Sequence, residues 1–334
     1  MSFLYRPFEF LRMPFARLIC LAALLVFSCV SKRAEKPVTS NLFEIGVELS
    51  TIHDDVLEEA SGLVASVNNP NMLWTHNDSG DKARIFLIDK GGIVKTSVLI
   101  DSARNRDWED IAIGPGPVEG KTYLYIGDIG DNESEFMFKY IYRIEEPVID
   151  VKITRDTTIR TVAVIKFQYP DGLRDSESLM VDPLTRDLFL ISKRELKANL
   201  YRLPYPQSTT LPTVAELLLS QIEFDQSSLV DTTRLNGEAL IRGYHPKYFY
   251  QVVAADISTA GTEVLVKSYS TVYYWKRNPT ETIGDLLKRP AILLPYKPEP
   301  QGEAIAFDNT GKGYYTLNEK MRDKKQRLMF YKRH

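Results

Sequence analysis

The sequence predicts an all-β protein, and more specifically a β-propeller built from four-stranded blades. Short runs of Val, Ile, Tyr, Phe and Thr alternate with Asp, Asn, Gly and Pro, which is the pattern of strands separated by turns. One strand-and-turn motif recurs along the chain, and further apolar strands follow each copy. Repetition of a four-stranded unit is typical of propeller blades. The alternative is a large β-sandwich in which the similarity of the segments is accidental.

The repeat is most evident in the first strand of each unit, an apolar run closed by a turn. Its five copies are EASGLVAS (59–66), EDIAIGP (109–115), ESLMVDP (177–183), AADISTAG (254–261) and EAIAFDNTG (303–311). Four copies begin with Glu, whereas the fourth in chain order carries Asp256 inside the strand. Second and third apolar strands follow each copy, and a less regular fourth strand follows the first four.

The blade count depends on two further segments. The last unit reaches His334 after three strands, so NLFEIGVEL (41–49) is expected to supply its fourth strand and close the ring. The segment NGEALIRGYHPKYFYQ (236–251) also contains a Glu-Ala-Leu motif and is either a degenerate sixth blade or an insertion. The sequence therefore predicts five blades and leaves a sixth open.

The N-terminus resembles a bacterial lipoprotein signal peptide. Arg6, Arg12 and Arg17 precede the apolar stretch LICLAALLVF (18–27), which is too short to span a bilayer. The VFSC motif that ends at Cys29 is similar to a lipobox, in which the cysteine is lipidated. We therefore expect a signal peptide over 1–28, a flexible tether over 29–41 and the propeller over 42–334. An ordinary cleaved signal peptide is the alternative.

Composition limits the partners. The chain of 334 residues has a net charge of −2, and about −4 once residues 1–28 are removed, which does not favour nucleic-acid binding. Its two cysteines are Cys20 and Cys29, so an acylated Cys29 would leave the exported domain without a thiol. We expect a monomer that faces the periplasm or the cell exterior and touches the membrane through its lipid anchor only.

The repeated glutamates indicate a site at the channel mouth. First strands line the channel of a propeller, so Glu59, Glu109, Glu177 and Glu303 should occupy one position around a ring. Like charges this close need a compensating cation, and Ca²⁺ takes six to eight oxygen ligands. The expected metal ligands are Glu109, Asp128, Asp131, Glu177 and Glu303. Two structural alternatives remain open: the glutamates could be latches to a neighbouring blade, and the aspartates could only cap turns.

The ends of the second strands should form an uneven rim around the same mouth. Two neighbouring blades offer oxygen ligands there and the next two offer cations, which would suit an anionic ligand bridged to a metal. The expected ligand-binding residues, including the aspartate of the fourth repeat, are Asn77, Asp78, Lys193, Arg194, Asp256, Lys267, Tyr269 and Glu319.

The phrases HNDSGD, NRDWEDIA, GDIGDN and PQGEAIA resemble those of uncharacterised secreted bacterial β-propeller proteins over about residues 55–320. The Glu-x-Ile/Leu-Ala signature is more distantly similar to phytase-like and esterase-like propellers, where channel carboxylates bind calcium and act on phosphate or ester substrates. That distant resemblance implies a calcium-dependent hydrolase, with Glu109, Asp128, Asp131 and Glu177 as metal ligands and Lys193 and Lys267 as phosphate partners. A full catalytic set of those enzymes has no match in this chain.

Three functions follow as expectations. The first is a propeller that binds a small anionic or polar ligand at an acidic, calcium-loaded mouth. The second is a metal-dependent phosphoesterase or esterase at the same mouth, whose catalytic residues the sequence does not identify. The third is a scaffold that binds a protein partner through its loops, with the acids playing a structural part only.

Overall fold

Five β-sheets, one for each blade, form the protein in a computed structural model that describes residues 40–150, 152, 156–224, 250–321 and 325–334. From the centre outwards, the first blade consists of β2 (Ala60–Ala65), β3 (Met72–Asn77), β4 (Arg84–Asp89) and β5 (Val94–Ile100). The second consists of β6 (Trp108–Pro115), β7 (Thr122–Asp128), β8 (Lys139–Glu145) and β10 (Ala163–Gln168). The third consists of β11 (Ser176–Val181), β12 (Leu188–Ser192), β13 (Ala198–Leu203) and β15 (Glu216–Ile222).

The last two blades follow the same antiparallel order. Their strands are β16 (Val252–Ile257), β17 (Glu263–Ser268), β18 (Val272–Lys276) and β19 (Ile292–Leu294); and β20 (Gly302–Phe307), β21 (Gly313–Asn318), β22 (Gln326–Lys332) and β1 (Val47–Ile52). Two short strands, β9 (Thr157–Ile159) and β14 (Thr213–Val214), add a parallel fifth strand to the first and second blades. A single helical turn, α1 (Ile283–Leu286), lies between β18 and β19.

The ring closes as the sequence predicts. The N-terminal strand β1 pairs antiparallel with β22, the last strand of the chain, and so completes the fifth blade. The predicted strand over 41–49 in fact begins at Val47, and only an isolated bridge between Phe43 and Arg333 precedes it. Gly46 lies against the Tyr331 ring, where a side chain would collide with the ring carbons at 2.4 Å.

Five inner strands make a complete circle. β2 lies beside β6, β6 beside β11, β11 beside β16, β16 beside β20, and β20 beside β2 again. The all-β, five-bladed propeller is thus confirmed, and the ring closes with described strands alone. Residues 225–249, which hold most of the segment considered as a sixth blade, lie outside the described residues.

The core lies between neighbouring blades. Each of the five buried apolar clusters joins side chains of two adjacent sheets, as where Trp74 of the first blade and Trp108 of the second meet in one cluster. Burying such faces removes apolar surface from water and fixes each blade against the next. In the described residues no helix is long and apolar enough to cross a membrane.

Two buried aspartates tie inner strands together. Asp110 of β6 accepts a hydrogen bond of 2.8 Å from the Leu179 N–H of β11, and Asp256 of β16 accepts one of 2.8 Å from the Phe307 N–H of β20. Burial raises the pKa of Asp256 to about 7. Each side chain satisfies a backbone donor that the next inner strand would otherwise leave unpaired at the channel wall.

Candidate metal and ligand site

A β-bulge near the start of each inner strand changes the direction of one side chain. The pairing of β6 with β7 shifts register around Glu109, and that of β20 with β21 shifts around Glu303. β11 shows the same shift around Glu177, and β16 around Val253. A bulge re-aims the residue that it inserts, and it is common next to functional sites. Three of the five blades therefore present a glutamate at this point.

The first blade differs from the expectation. The Glu59 carbonyl accepts a hydrogen bond of 2.8 Å from the Asp78 N–H, and in the second blade the Asp107 carbonyl accepts the equivalent bond of 3.2 Å from Gly130. Glu59 thus corresponds to Asp107, two residues before Glu109, and its side chain is exposed. The expected ring of four equivalent glutamates is wrong in this blade because Glu59 precedes β2 and its bulge.

Two overlapping groups of carboxylates meet at the mouth. Oxygens of Glu109, Asp175 and Glu177 lie within 4.8 Å of one another, and so do those of Asp78, Asp107 and Glu109. Glu109 belongs to both groups, and the first group is buried throughout. The structure therefore brings together the predicted residues Glu109, Glu177 and Asp78, which are up to 99 positions apart in the chain.

Glu177 has one oxygen that no neighbour satisfies. Its Oε1 pairs with the Lys193 ammonium, whereas its Oε2 is buried without a hydrogen-bond partner among the described residues. The side chain is only 5% exposed. A buried carboxylate oxygen without a partner is costly, because burial removes its hydration without replacing it. An oxygen-coordinating cation between Glu177, Glu109 and Asp175 would satisfy it.

Asp175 is held in place from two sides. Its Oδ1 accepts a hydrogen bond of 2.9 Å from the Asp131 N–H, and its Oδ2 pairs with Arg194 at 2.5 Å. Gly130 makes room for the neighbouring acids, since a Cβ there would lie 2.3 Å from Glu109 Oε1 and 2.4 Å from Asp107 Oδ2. The loop after β7 therefore approaches the carboxylates closely and leaves no space for a side chain at this position.

Asp128 and Asp131, two of the expected metal ligands, lie outside both carboxylate groups. Asp128 accepts a hydrogen bond of 2.8 Å from the Asp107 N–H. Asp131 pairs with buried Lys139 at 2.8 Å and accepts hydrogen bonds from two backbone N–H groups of its own loop. Asp128 thus holds Asp107, which precedes β6, and Asp131 shapes the loop after β7 that carries Gly130.

Asp107 and Asp175 take the places that the sequence assigned to Asp128 and Asp131. Both occur in an Arg-Asp-x-Glu pattern, over residues 106–109 and 174–177. This pattern is a signal that sequence reasoning missed, because the glutamate alone was used to align the repeats. Asp107 and Asp175 precede the bulge glutamate by two positions, so their side chains reach the same mouth.

Lys193, Tyr269 and Glu303 form a chain of contacts across the mouth. The Lys193 ammonium donates to the Tyr269 hydroxyl at 3.2 Å, and that hydroxyl donates to Glu303. Buried Lys267 donates to the Gly302 carbonyl, beside Glu303, and burial lowers its pKa to about 8. Lys193, Lys267 and Tyr269 are predicted ligand-binding residues, whereas Glu303, a predicted metal ligand, lies outside both carboxylate groups. Together they connect the carboxylates of three blades to the fourth and fifth blades.

The remaining predicted residues have structural partners. Asn77 accepts a hydrogen bond of 3.2 Å from the Glu59 N–H and donates one of 2.7 Å to Asp81. Asp256 binds the backbone of the next inner strand, as described above. Arg194 is exposed and reaches the mouth only through Asp175.

Negative charge accumulates at this mouth. Burial, together with the charges of Asp107 and Glu303, raises the pKa of Asp78 to about 7. Burial raises the pKa of Glu109 well above its usual range and that of Asp107 to about 6. Burial and neighbouring Glu303 raise the pKa of Glu319 to about 10. Part of the cluster therefore holds protons at neutral pH when no cation compensates it.

No protein-family model matches this chain, and no curated protein matches it. Among solved structures, a luciferin-regenerating enzyme is similar, with 10% sequence identity and a TM-score of 0.41. The match covers 84% of this chain and 94% of that one. The five-bladed arrangement follows from this chain's own strand pairing, and the site follows from its own side chains.

We expect the Asp78 carboxyl to make the cation-free protein less stable as the pH rises. Its pKa is about 7 in the folded protein and 3.8 as an ordinary aspartate, so between these values the folded state holds a proton that the unfolded state lacks. Asp78→Asn should therefore melt at a higher temperature than the wild type at pH 8, with a difference that shrinks towards pH 5.

Melting in a chelator across this pH range measures the effect. Burial lowers the pKa of His76 to about 4, so this residue makes the folded protein more stable as the pH rises. That effect is the same in the wild type and in Asp78→Asn, so it does not change the difference between their melting temperatures. A difference in melting temperature that stays constant from pH 5 to pH 8 would contradict the assignment.

Proposed function

We propose that this protein is an exported, lipid-anchored β-propeller that binds a hard divalent cation at its acidic mouth, and a small anionic or polar ligand beside it. The observation that carries the proposal is the buried Glu177 carboxylate, which lies beside Glu109 and Asp175 and whose Oε2 has no partner among the described residues. A cation there would gain three carboxylates from two blades and relieve their mutual repulsion.

Calcium fits this donor set best. Both groups consist of carboxylates alone, without histidine or cysteine, whereas protein zinc sites favour nitrogen and sulfur. Magnesium requires near-ideal octahedral geometry and gives up water reluctantly, while calcium accepts irregular carboxylate sets. The carboxylates come from separate strands and a loop, so a flexible coordination sphere suits them.

Lys193 supports an anion site next to the cation. Its ammonium pairs with Glu177 Oε1 and lies against the Tyr269 hydroxyl, so it compensates part of the negative charge where the cation would bind. A cation bound to Glu177 would repel the ammonium and weaken this pair. Lys193 could then bind an anionic group that the cation also contacts.

Hydrolysis is the second candidate, and one observation favours it. Asp78 and Glu319 both have raised pKa values and lie near Glu303, so proton donors stand beside the cation site at neutral pH. Bound calcium could polarise an ester or phosphate group and its attacking water. Calcium-dependent release of nitrophenol from p-nitrophenyl phosphate, lost in Glu109→Gln, would identify a catalyst; binding without turnover would identify a receptor.

Calcium should stabilise the folded protein. A ligand that binds only the folded state at 100 times its Kd adds about 2.7 kcal/mol to the free energy of unfolding. We expect millimolar calcium to raise the melting temperature of the wild type and to leave Glu177→Gln unshifted, because the amide cannot replace the charged ligand. Glu145→Gln, at a half-exposed surface ion pair with Lys121, is the matched control and should keep the calcium shift.

Scanning calorimetry with and without calcium gives the answer. If calcium leaves the wild-type melting temperature unchanged, or shifts Glu177→Gln as much as the wild type, the cation is not bound at this site.

Replacing Lys193 should separate cation binding from anion binding. Lys193→Met keeps most of the length of the side chain but removes the charge that competes with calcium and attracts the anion. We expect about tenfold tighter calcium binding, an effect of about 1.4 kcal/mol, together with loss of phenyl phosphate binding in the presence of calcium. Lys197→Met, at an exposed lysine four residues further on, should change neither.

Isothermal titration calorimetry with calcium, and then with phenyl phosphate on the calcium-loaded protein, tests both parts. Unchanged phenyl phosphate binding in Lys193→Met would remove this lysine from the anion site.

The anchor at Cys29 is tested separately. Cys29→Ser removes the only site for lipidation in the VFSC motif, and we expect the full chain to move from the membrane fraction to the soluble fraction of the exported proteins. Fractionation after expression in a bacterium, with Cys20→Ser as the control, measures this. Equal membrane retention of the Cys29→Ser and wild-type proteins would contradict acylation.

A further inference from the structure

Glu109 is a buried carboxylate that no neighbouring donor satisfies. The residue is 3% exposed, and neither side-chain oxygen accepts a hydrogen bond or forms an ion pair within the described part of the chain. Its backbone carbonyl accepts a hydrogen bond of 2.6 Å from the Ser61 hydroxyl, so the main chain is fixed while the carboxylate has no donor. A buried charge without a partner is costly, so a cation beside this carboxylate would stabilise the folded protein.

One cation cannot reach all the carboxylates around Glu109. Oxygens of Asp175 and Glu177 form one group with a Glu109 oxygen, within 4.8 Å of one another, and oxygens of Asp78 and Asp107 form another. No such group among the described residues contains all five carboxylates. Two oxygens bound to one calcium ion are at most about 5 Å apart, because each lies about 2.3–2.6 Å from the ion. A cation held by Glu177 would therefore leave Asp78 and Asp107 without a shared cation.

The cationic side chains at this mouth lie on the side of the first group. Lys193 pairs with Glu177, and Arg194 pairs with Asp175. Asp107, in contrast, forms no ion pair and accepts no hydrogen bond through its carboxylate in the part of the chain that the structure describes. Negative charge is thus least compensated on the side of Asp78 and Asp107.

Neighbouring loops hold this second group in place. The Asn105 amide donates a hydrogen bond of 2.6 Å to the Asp78 carbonyl, across the boundary between the first and second blades. The Asp107 N–H donates to Asp128 at 2.8 Å, and the Asp107 carbonyl accepts a hydrogen bond of 3.2 Å from Gly130. Backbone contacts therefore fix both aspartates beside Glu109.

Three motifs of the sequence meet at this point. HNDSGD supplies Asp78, NRDWED supplies Asn105 and Asp107, and GDIGDN supplies Asp128 and Gly130. A single cation at Glu177 uses none of these five residues as a ligand. The arrangement that they build therefore needs a separate explanation.

We propose that the mouth binds two calcium ions, one on each side of Glu109, whose carboxylate bridges them. Asp175 and Glu177 complete the first site, and Asp78 and Asp107 complete the second. Two-metal sites in proteins hold their ions about 3.5–4 Å apart. The inference rests on the proposed function, because the second ion shares Glu109 with the first.

The first site fills before the second. Its three carboxylates are buried, whereas Asp78 and Asp107 are partly exposed, so water competes for their oxygens and weakens their attraction for a cation. An ion at the first site also fixes the Glu109 carboxylate, which then needs no further ordering to bind the second ion. The second site therefore depends on the first, but the first does not depend on the second.

Counting the bound ions tests the inference. Isothermal titration with calcium should find two ions per chain in the wild type, and one in Asp78→Asn and in Asp107→Asn, whose first site is intact. Both variants should keep the rise in melting temperature that the first ion causes, and the melt shows that they are folded. Asp285→Asn, at a 60% exposed carboxylate that pairs with Lys288 in α1, is the matched control and should bind two ions.

The count separates this inference from the proposed function. A wild type that binds one ion would overturn the second site and leave the first, and a wild type that binds none would overturn both. Two ions in both Asp78→Asn and Asp107→Asn would place the second ion elsewhere and overturn the inference.

Manganese gives a second, independent measurement. Mn²⁺ accepts the same oxygen ligands as calcium, and two ions that share a carboxylate are close enough for their electron spins to couple. The six-line paramagnetic resonance signal of the first bound equivalent should therefore broaden and weaken as the second equivalent binds. Asp78→Asn should keep the signal of an isolated ion at saturation. Two bound ions with uncoupled signals in the wild type would contradict bridging by Glu109.

Discussion

Closure of the five inner strands into a circle is the constraint on which the site depends. No inner strand contains more than two acids, and no blade alone would form a site. The pairing of β1 with β22 completes the fifth blade, and contacts of β20 with β2 complete the circle. Acids from separate blades then share one small space, so their repulsion is a consequence of the fold and must be compensated locally.

The chain uses its channel carboxylates in two ways, and hydrogen bonding distinguishes them. Asp110 and Asp256 each accept a backbone N–H from the next inner strand, so their oxygens serve the ring. Glu177 keeps one buried oxygen without such a donor in the described residues. The structural latch that the sequence left open for the glutamates is thus formed by Asp110 and Asp256 instead, whereas Glu177 keeps an oxygen that a cation could bind.

The sequence predicted the architecture well because blade repetition appears directly in the order of apolar strands and turns. It predicted the five first strands, the use of an N-terminal strand to complete the last blade, and the meeting of Glu109 with Glu177. It could not place side chains around bulges and loops. Glu59 differs from Glu109 by two positions of local register, and Asp128 and Asp131 are engaged by backbone and Lys139, which no spacing rule reveals. The Arg-Asp-x-Glu pattern could have identified Asp107 and Asp175, but only if the aspartate two positions before each glutamate had been aligned together with the glutamate.

Lys193 explains how so acidic a mouth can exist in a folded protein before any cation binds. Its ammonium pairs with Glu177 and favours the charged form of Glu109, so one basic side chain compensates acids from two blades. Protons on Asp78, Glu109 and Glu319 reduce the charge further. A cation would have to displace both the protons and the Lys193 ammonium. Its affinity must therefore depend on pH, and on any anion that pairs with Lys193 in place of Glu177. If the mouth binds both a cation and an anion, their affinities would be linked, because an anion that draws Lys193 away from Glu177 removes the ammonium with which the cation competes.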